Sequence, residues 1–174
     1  MCTPDRGDGR IRGDGEGYPI EARAYGSAFG REREDPGVLT ELFERQAELN
    51  RRVGFDPDGL RAKFDPKQAG EWLNNYIAAA SNELEELRDC TYWKHWCAEA
   101  SEGRRFELHD LQNARVEVID LLFFWISLAQ CVGLNADDVM ELYRQKLAVN
   151  HTRQDTGYAM ANKTEDDNRT VELK

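Results

Sequence analysis

Two pairs of acids recur at one spacing. Glu83 and Glu86 stand in SNELEELRDC, and Glu117 and Asp120 stand in RVEVIDLL. Residues three apart share a helix face. Antiparallel packing of two such helices would bring four carboxylates to one point. They cannot sit together ionised without cations, and oxygen-only ligands suit Mg²⁺ or Mn²⁺. Such ions in turn hold phosphate substrates. The alternative for Glu83 and Glu86 is a solvated acidic stretch, because Glu85 and Asp89 are near. Their place at a helix C-terminus, where the dipole disfavours anions, mildly favours the metal. The matching pair downstream decides for it.

Asp120 adds weight. From Val118 to Ile126 it is the one residue that is not apolar. That run reads as a helix buried on nearly every side. A carboxylate there costs several kcal/mol unless it is paired or bound to metal.

Other polar residues are spaced for a phosphate and a base. Lys146, Asn150 and Arg153 fall at i, i+4 and i+7, and Tyr158 follows Gly157. Two cations, an amide and a phenol make a polyphosphate clamp. The alternative is an ordinary polar face. Gln46 and Asn50 share a face, either solvated or lining a ligand pocket. Trp93, Lys94 and Trp96 are close together. They suit a core, an interface or the wall of a base pocket.

The elements that must position these residues are all helical. A first helix begins near Asp35-Pro36 and runs to Gly54, with Val38, Leu39, Leu42, Phe43 and Leu49 as its apolar stripe. Phe55 to Phe64 reads as a turn-rich connection. Asp65-Pro66 opens a long helix to about Asp89, with Trp72, Tyr76, Ile77, Ala80, Leu84 and Leu87 as its core face. CTYWKHWCAEA suggests one or two helical turns, and Ser101 to His109 a loop. The central helix, Leu111 onward, stops at Gly133. Asn135 caps the last helix. Residues 1–34 hold half of the 14 glycines and form an irregular arm. Residues 35–158 form one all-α helical bundle, and residues 159–174 a loose polar tail.

At 174 residues the chain suffices for one domain, and its net charge of −10 argues against nucleic acid as a partner. No apolar run is long enough for a membrane span, and the N-terminus has no apolar signal region. The expectation is a cytoplasmic protein, in the host cytoplasm if phage-encoded. The cysteines Cys2, Cys90, Cys97 and Cys131 read as free thiols rather than a zinc site with His95 and His109.

Together these residues resemble one family. E-x-x-E, a long gap and E-x-x-D are the signature of the all-α nucleoside triphosphate pyrophosphohydrolases, the MazG-like superfamily. The rest is similar to its dimeric dUTPase branch. Gln46, Leu49 and Asn50 match a Q-x-x-L-N-like stretch. Trp93, Lys94 and Trp96 match a W-K-W-W-like segment, with His95 departing. Tyr143, Lys146, Asn150, Arg153, Gln154, Gly157 and Tyr158 match the C-terminal motif in full.

The resemblance implies a helical bundle that cleaves a dNTP to dNMP and pyrophosphate. It implies two or more Mg²⁺ ions per site, replaceable by Mn²⁺, on Glu83, Glu86, Glu117 and Asp120. Glu86, with Glu83 beside it, would orient the attacking water. Lys94, Lys146, Asn150, Arg153 and Tyr158 would bind the phosphates. Gln46, Asn50, Trp93 and Phe123 would face base and sugar. A homodimer or a dimer of dimers is implied. Phe123 stands where the branch has a His, and Cys97 where it tends to have Lys. This points away from uracil and towards dGTP, the substrate of phage relatives of the MazZ type. The alternatives are dUTP or dCTP, or a nucleotide-binding protein without catalysis.

Overall fold

Three side-chain caps set the helix starts. Asp65 Oδ1 accepts the N–H groups of Lys67 (2.9 Å) and Gln68 (3.2 Å). Asp110 Oδ1 accepts that of Asn113 (2.9 Å). Asn135 and Asp138 cap each other, each side chain accepting the other's N–H at 2.9–3.0 Å. Each cap satisfies donors that the first helical turn leaves open. In the computed structural model, which describes residues 37–155 and 170–173, they open three long helices. The elements are α1 (Val38–Arg52), α2 (Pro57–Ala62), α3 (Pro66–Asp89), α4 (Ala98–Ser101), α5 (Leu111–Cys131) and α6 (Ala136–Asp155). The described residues contain no strand, only an isolated bridge between Thr91 and Leu108. The all-α expectation holds. Gly133, at φ +77°, ends α5 in a conformation that glycine adopts at least cost. The arm at residues 1–34 and its boundary at 35 lie outside the described residues, as do Tyr158 and most of the tail.

α5 is the element around which the others pack. α3 runs antiparallel to it: Tyr76 meets Phe124, and the Cys90 carbonyl accepts the N–H of His109. One core cluster joins Phe55, Leu60, Ala69, Tyr76 and Cys131, with Phe55 stacked on Trp72 at 5.2 Å. The other joins Phe43, Ile126, Ala129 and Ala136.

Several expectations need correction. The segment after α1 is not merely a turn. Asp56-Pro57 starts the short helix α2, whose Leu60 is buried beside Phe55. α1 starts at Val38 with Gly37 at its N-cap, and Asp35 and Pro36 lie outside the described residues. Its buried face is Phe43, Gln46, Ala47 and Asn50, whereas Val38, Leu42 and Leu49 are exposed. On α3, Ile77 and Leu84 are likewise exposed.

The largest correction concerns α5. Val118, Ile119, Phe123 and Trp125 are each 45–52 % exposed. α1, α2 and α3 cover only part of its circumference, so an all-round apolar helix keeps a bare face within one chain. Among the described residues no single helix is long and apolar enough to cross a membrane.

The described end of the tail is also better held than expected. The Gln145 side chain pairs with the backbone of Glu172. Its Nε2 donates to the carbonyl at 2.9 Å, and its Oε1 accepts the N–H at 3.0 Å. This places Val171 in an apolar groove of about 750 Å³ beside Leu73, Trp125 and Val132.

Burial of Cys131 makes stability depend on alkaline pH. Its thiol is fully buried and pushed up to about 11. In the unfolded chain it would titrate near 8.5. Between these values the unfolded chain loses a proton that the native state keeps, so unfolding becomes easier as pH rises. The loss between about pH 8 and pH 11 should be on the order of 2–3 kcal/mol. Urea unfolding at several pH values, set against Cys131→Ala, measures it. An equal slope in both proteins would show that the thiol does not contribute.

Candidate metal and nucleotide site

Glu117 and Asp120 lie one turn apart on α5, on the side that meets α3. Glu83 comes from the facing turn of α3. One carboxylate oxygen from each of the three lies within 4.8 Å of the others. Glu117 is 5 % exposed, and the other two are half-buried. Burial holds the Glu83 carboxyl above its ordinary range, helped by its hydrogen bond with Glu117 and by the charges of Glu86, Asp120 and Glu117. The cluster is thus short of positive charge. Oxygens around one Mg²⁺ sit about 2 Å from the ion, so neighbours are about 3–4 Å apart. Small side-chain adjustments would let these three hold a hard cation, and the donor set fits Mg²⁺ or Mn²⁺ rather than a thiolate-binding metal.

Glu86 departs from the expected four-carboxylate point. It is exposed and lines an adjoining cavity of about 220 Å³ with Asp89, Cys90, His109, Asp110 and Asn113. Glu83 is half-buried where α3 meets α5, whereas Glu86, three residues nearer the end of α3, is exposed. Among the described residues, no cluster close enough to share an ion includes Cys90, His95, Cys97 and His109. Cys90, Cys97 and Cys131 are buried and form no disulfide with one another.

The aromatic segment folds back over the end of α3. Trp93 Nε1 donates to Asp89 Oδ1, and the Arg88 guanidinium lies 3.9 Å from the Trp93 ring centroid. Lys94 Nζ is 3.4 Å from Asp89. The Trp93 hydrogen bond, and then Lys94, hold the Asp89 carboxyl below its usual range. Trp93 and Lys94 therefore sit one turn beyond Glu86. Trp96 is exposed.

The amide pair is buried. Gln46 is 5 % and Asn50 2 % exposed. Gln46 Nε2 donates to Asn50 Oδ1 and to Ser127 Oγ, both at 3.0 Å. Asn50 Nδ2 donates to Gln130 Oε1 at 2.8 Å, and the Tyr76 hydroxyl donates to Asn50 Oδ1 at 2.9 Å. Gln130 Nε2 closes the set on the Phe43 carbonyl at 2.9 Å. One atom is left over: Gln46 Oε1 is buried with no partner. An unpaired buried acceptor costs about 1–3 kcal/mol.

Sequence reasoning missed Tyr76, Ser127 and Gln130 as members of this network. The sign was present, since Ser127 and Gln130 are three apart in an apolar run, as Glu117 and Asp120 are. Phe123 is half-exposed on α5, and its carbonyl accepts Ser127 Oγ at 3.0 Å. On α6, Lys146 lines the apolar groove, Asn150 is exposed and Arg153 half-buried.

A family model described as dUTPase matches residues 38–131, from the start of α1 to the end of α5. Two phage proteins named dCTP pyrophosphatase are similar along most of their length. That of Enterobacteria phage T4 is 35 % identical and that of Enterobacteria phage LZ5 30 % identical. Each alignment covers 82 % of this chain and 94 % of the relative. No solved structure matches the chain. The family match takes in both carboxylate pairs and the helices that bring three of the acids together. The chain therefore belongs to the dUTPase family of all-α nucleoside triphosphate pyrophosphohydrolases.

Proposed function

We propose that the chain hydrolyses a pyrimidine deoxynucleoside triphosphate, dCTP foremost, to the monophosphate and pyrophosphate. The observation that carries the reaction is the cluster of Glu83, Glu117 and Asp120 at the α3–α5 contact. These residues would hold Mg²⁺ or Mn²⁺, with Glu86 available to a second ion. Bound metal would supply charge neutralisation for the triphosphate and a more acidic water. Glu86, exposed beside the cluster, would accept the proton of the attacking water. Lys94, Lys146, Asn150, Arg153 and Tyr158 would bind the phosphates. Gln46 and Asn50, with Trp93 and Phe123, would surround base and sugar.

One observation favours cytosine over the guanine that the Phe123 replacement suggested, and a second favours it over uracil. Both phage relatives carry the name dCTP pyrophosphatase. Gln46 Oε1 is an acceptor in need of a donor, which the exocyclic amine of cytosine offers. Uracil presents a carbonyl at that position, which Gln46 Oε1 would repel. Ser127, bonded to Gln46, is seven residues from Asp120, so about 10 Å separates network and carboxylates along the helix. A nucleotide spans that interval with its base at one end and its phosphates at the other. The bare face of α5 supports a homodimer, or a dimer of dimers, in which a second copy covers Val118, Ile119 and Phe123.

A product assay with the five common deoxynucleotides and the ribonucleotides, in Mg²⁺ or Mn²⁺, tests this. The expected result is dCTP turnover at least about tenfold faster than dUTP or dGTP turnover in kcat/KM; against dUTP, one well-placed hydrogen bond supplies that difference. Preference for dGTP would overturn the pyrimidine assignment. Release of pyrophosphate from no nucleotide would overturn the enzyme.

A further inference from the structure

We infer that Asn113 is a positioning residue of the acidic cluster, its side-chain amide holding the Glu117 carboxylate in the orientation that a divalent cation needs. This rests on the metal site proposed above. Asn113 lies one turn before Glu117 on α5, and its Nδ2 donates to Glu117 Oε1 at 2.9 Å. Asn113 is itself tied down at two points. Its backbone N–H donates to the capping Asp110 at 2.9 Å, and its Nδ2 also reaches Cys90 Sγ at 3.5 Å. Cys90 is 2 % exposed at the end of α3, where its carbonyl accepts the N–H groups of His109 and Asp110. The amide is thereby anchored to both helices that carry the cluster. Its orientation is set by charge, because the reverse rotamer would turn Oδ1 against a carboxylate.

The choice of an amide has a physical consequence. Glu117 is nearly removed from water, and an ionised carboxylate there needs a donor. A lysine or arginine would supply one but would cancel the charge that attracts the cation. Asn113 stabilises the anion without adding charge, and it restrains one oxygen. A Glu117 oxygen lies within 4.8 Å of oxygens of Glu83 and Asp120. Partners that orient a metal-binding carboxylate in this way raise metal affinity, typically by 10–100-fold.

The test is Mn²⁺ binding to the nucleotide-free protein, followed by electron paramagnetic resonance and by the Mn²⁺-dependent shift in melting temperature. Asn113→Leu keeps the side chain's branching and removes the donor, and Asn113→Ala removes both. The expected result is Mn²⁺ binding weakened about tenfold or more in each. The Mg²⁺ concentration for half-maximal hydrolysis should rise in parallel, and excess Mg²⁺ should restore kcat. The metal-free melting temperature should stay close to that of the wild type. A folded variant that binds Mn²⁺ within twofold of the wild type would overturn the inference alone. So would a rate loss that excess Mg²⁺ does not restore. Absence of Mn²⁺ binding in the wild type would sink the metal site, and this inference with it.

Discussion

Glu117→Gln is expected to lower kcat/KM by at least about 10³-fold, which corresponds to about 4 kcal/mol of transition-state stabilisation. The same variant should leave the metal-free protein as stable as the wild type, or more so. Both effects follow from the cluster at the α3–α5 contact. Three carboxylate oxygens within 4.8 Å repel one another, and the raised Glu83 carboxyl is the sign of that repulsion after burial. Glutamine keeps an oxygen to accept the Asn113 amide, so the local fold survives. It also removes one negative charge from the group, which relieves Glu83 and weakens the attraction for a cation. The wild type should gain melting temperature on adding Mg²⁺, because a ligand that binds the native state stabilises it. The variant should lose that gain. Full activity in Glu117→Gln would remove the cluster from the mechanism. A large fall in metal-free stability would show that Glu117 serves the core instead. Glu86→Gln, by contrast, should abolish turnover while keeping much of the Mg²⁺-dependent shift, since Glu86 stands outside the three-carboxylate group.

Asn50→Ala should be the most damaging polar-to-apolar change in the described core, at about 3–4 kcal/mol or roughly 10 °C in melting temperature. Asn50 is 2 % exposed and is the hub of the network. Its Oδ1 accepts Gln46 Nε2 and the Tyr76 hydroxyl, and its Nδ2 donates to Gln130. Alanine leaves Tyr76 and Gln130 with unsatisfied groups in the interior, and the cost of such groups exceeds the net worth of the bonds lost. Gln46→Ala should cost less, because Gln46 already carries one unpaired atom whose removal is favourable. Its larger effect should be on KM for the preferred nucleotide. Thermal melts of the two variants, compared with their KM values, separate these roles. Equal destabilisation by both would mean that the orphan oxygen has a partner the network does not reveal.

Local chemistry made much of this protein legible from its amino acids. The caps at Asp65 and Asn135 act within three residues, so the starts of α3 and α6 could be read directly. Gly133 ends α5 for an equally local reason. The i, i+3 spacing of Glu117 and Asp120 puts both on one face whatever surrounds the helix. Glu83 could be paired with them because α3 and α5 are long and lie antiparallel.

Other features depended on which surfaces meet. Hydrophobicity alone assigns Leu42 and Leu49 to the core and Gln46 and Asn50 to solvent. The fold does the reverse, because Ser127, Gln130 and Tyr76 arrive from α5 and α3 with matching donors and acceptors. The apolar run in α5 promises burial on all sides, yet α1, α2 and α3 are too few to surround it. Glu86 shares its spacing with Glu83 but not its place at the helix contact, and Asn113 gains a role only because Cys90 and Glu117 converge on it. Sequence by itself determined the long helices and the carboxylate spacing, since backbone geometry and charge act over a few residues, and its resemblance to a known family carried the reaction class. Tertiary structure alone decided which three acids converge, which amides are buried and which apolar face stays bare, since burial is a property of the partner surface as much as of the residue.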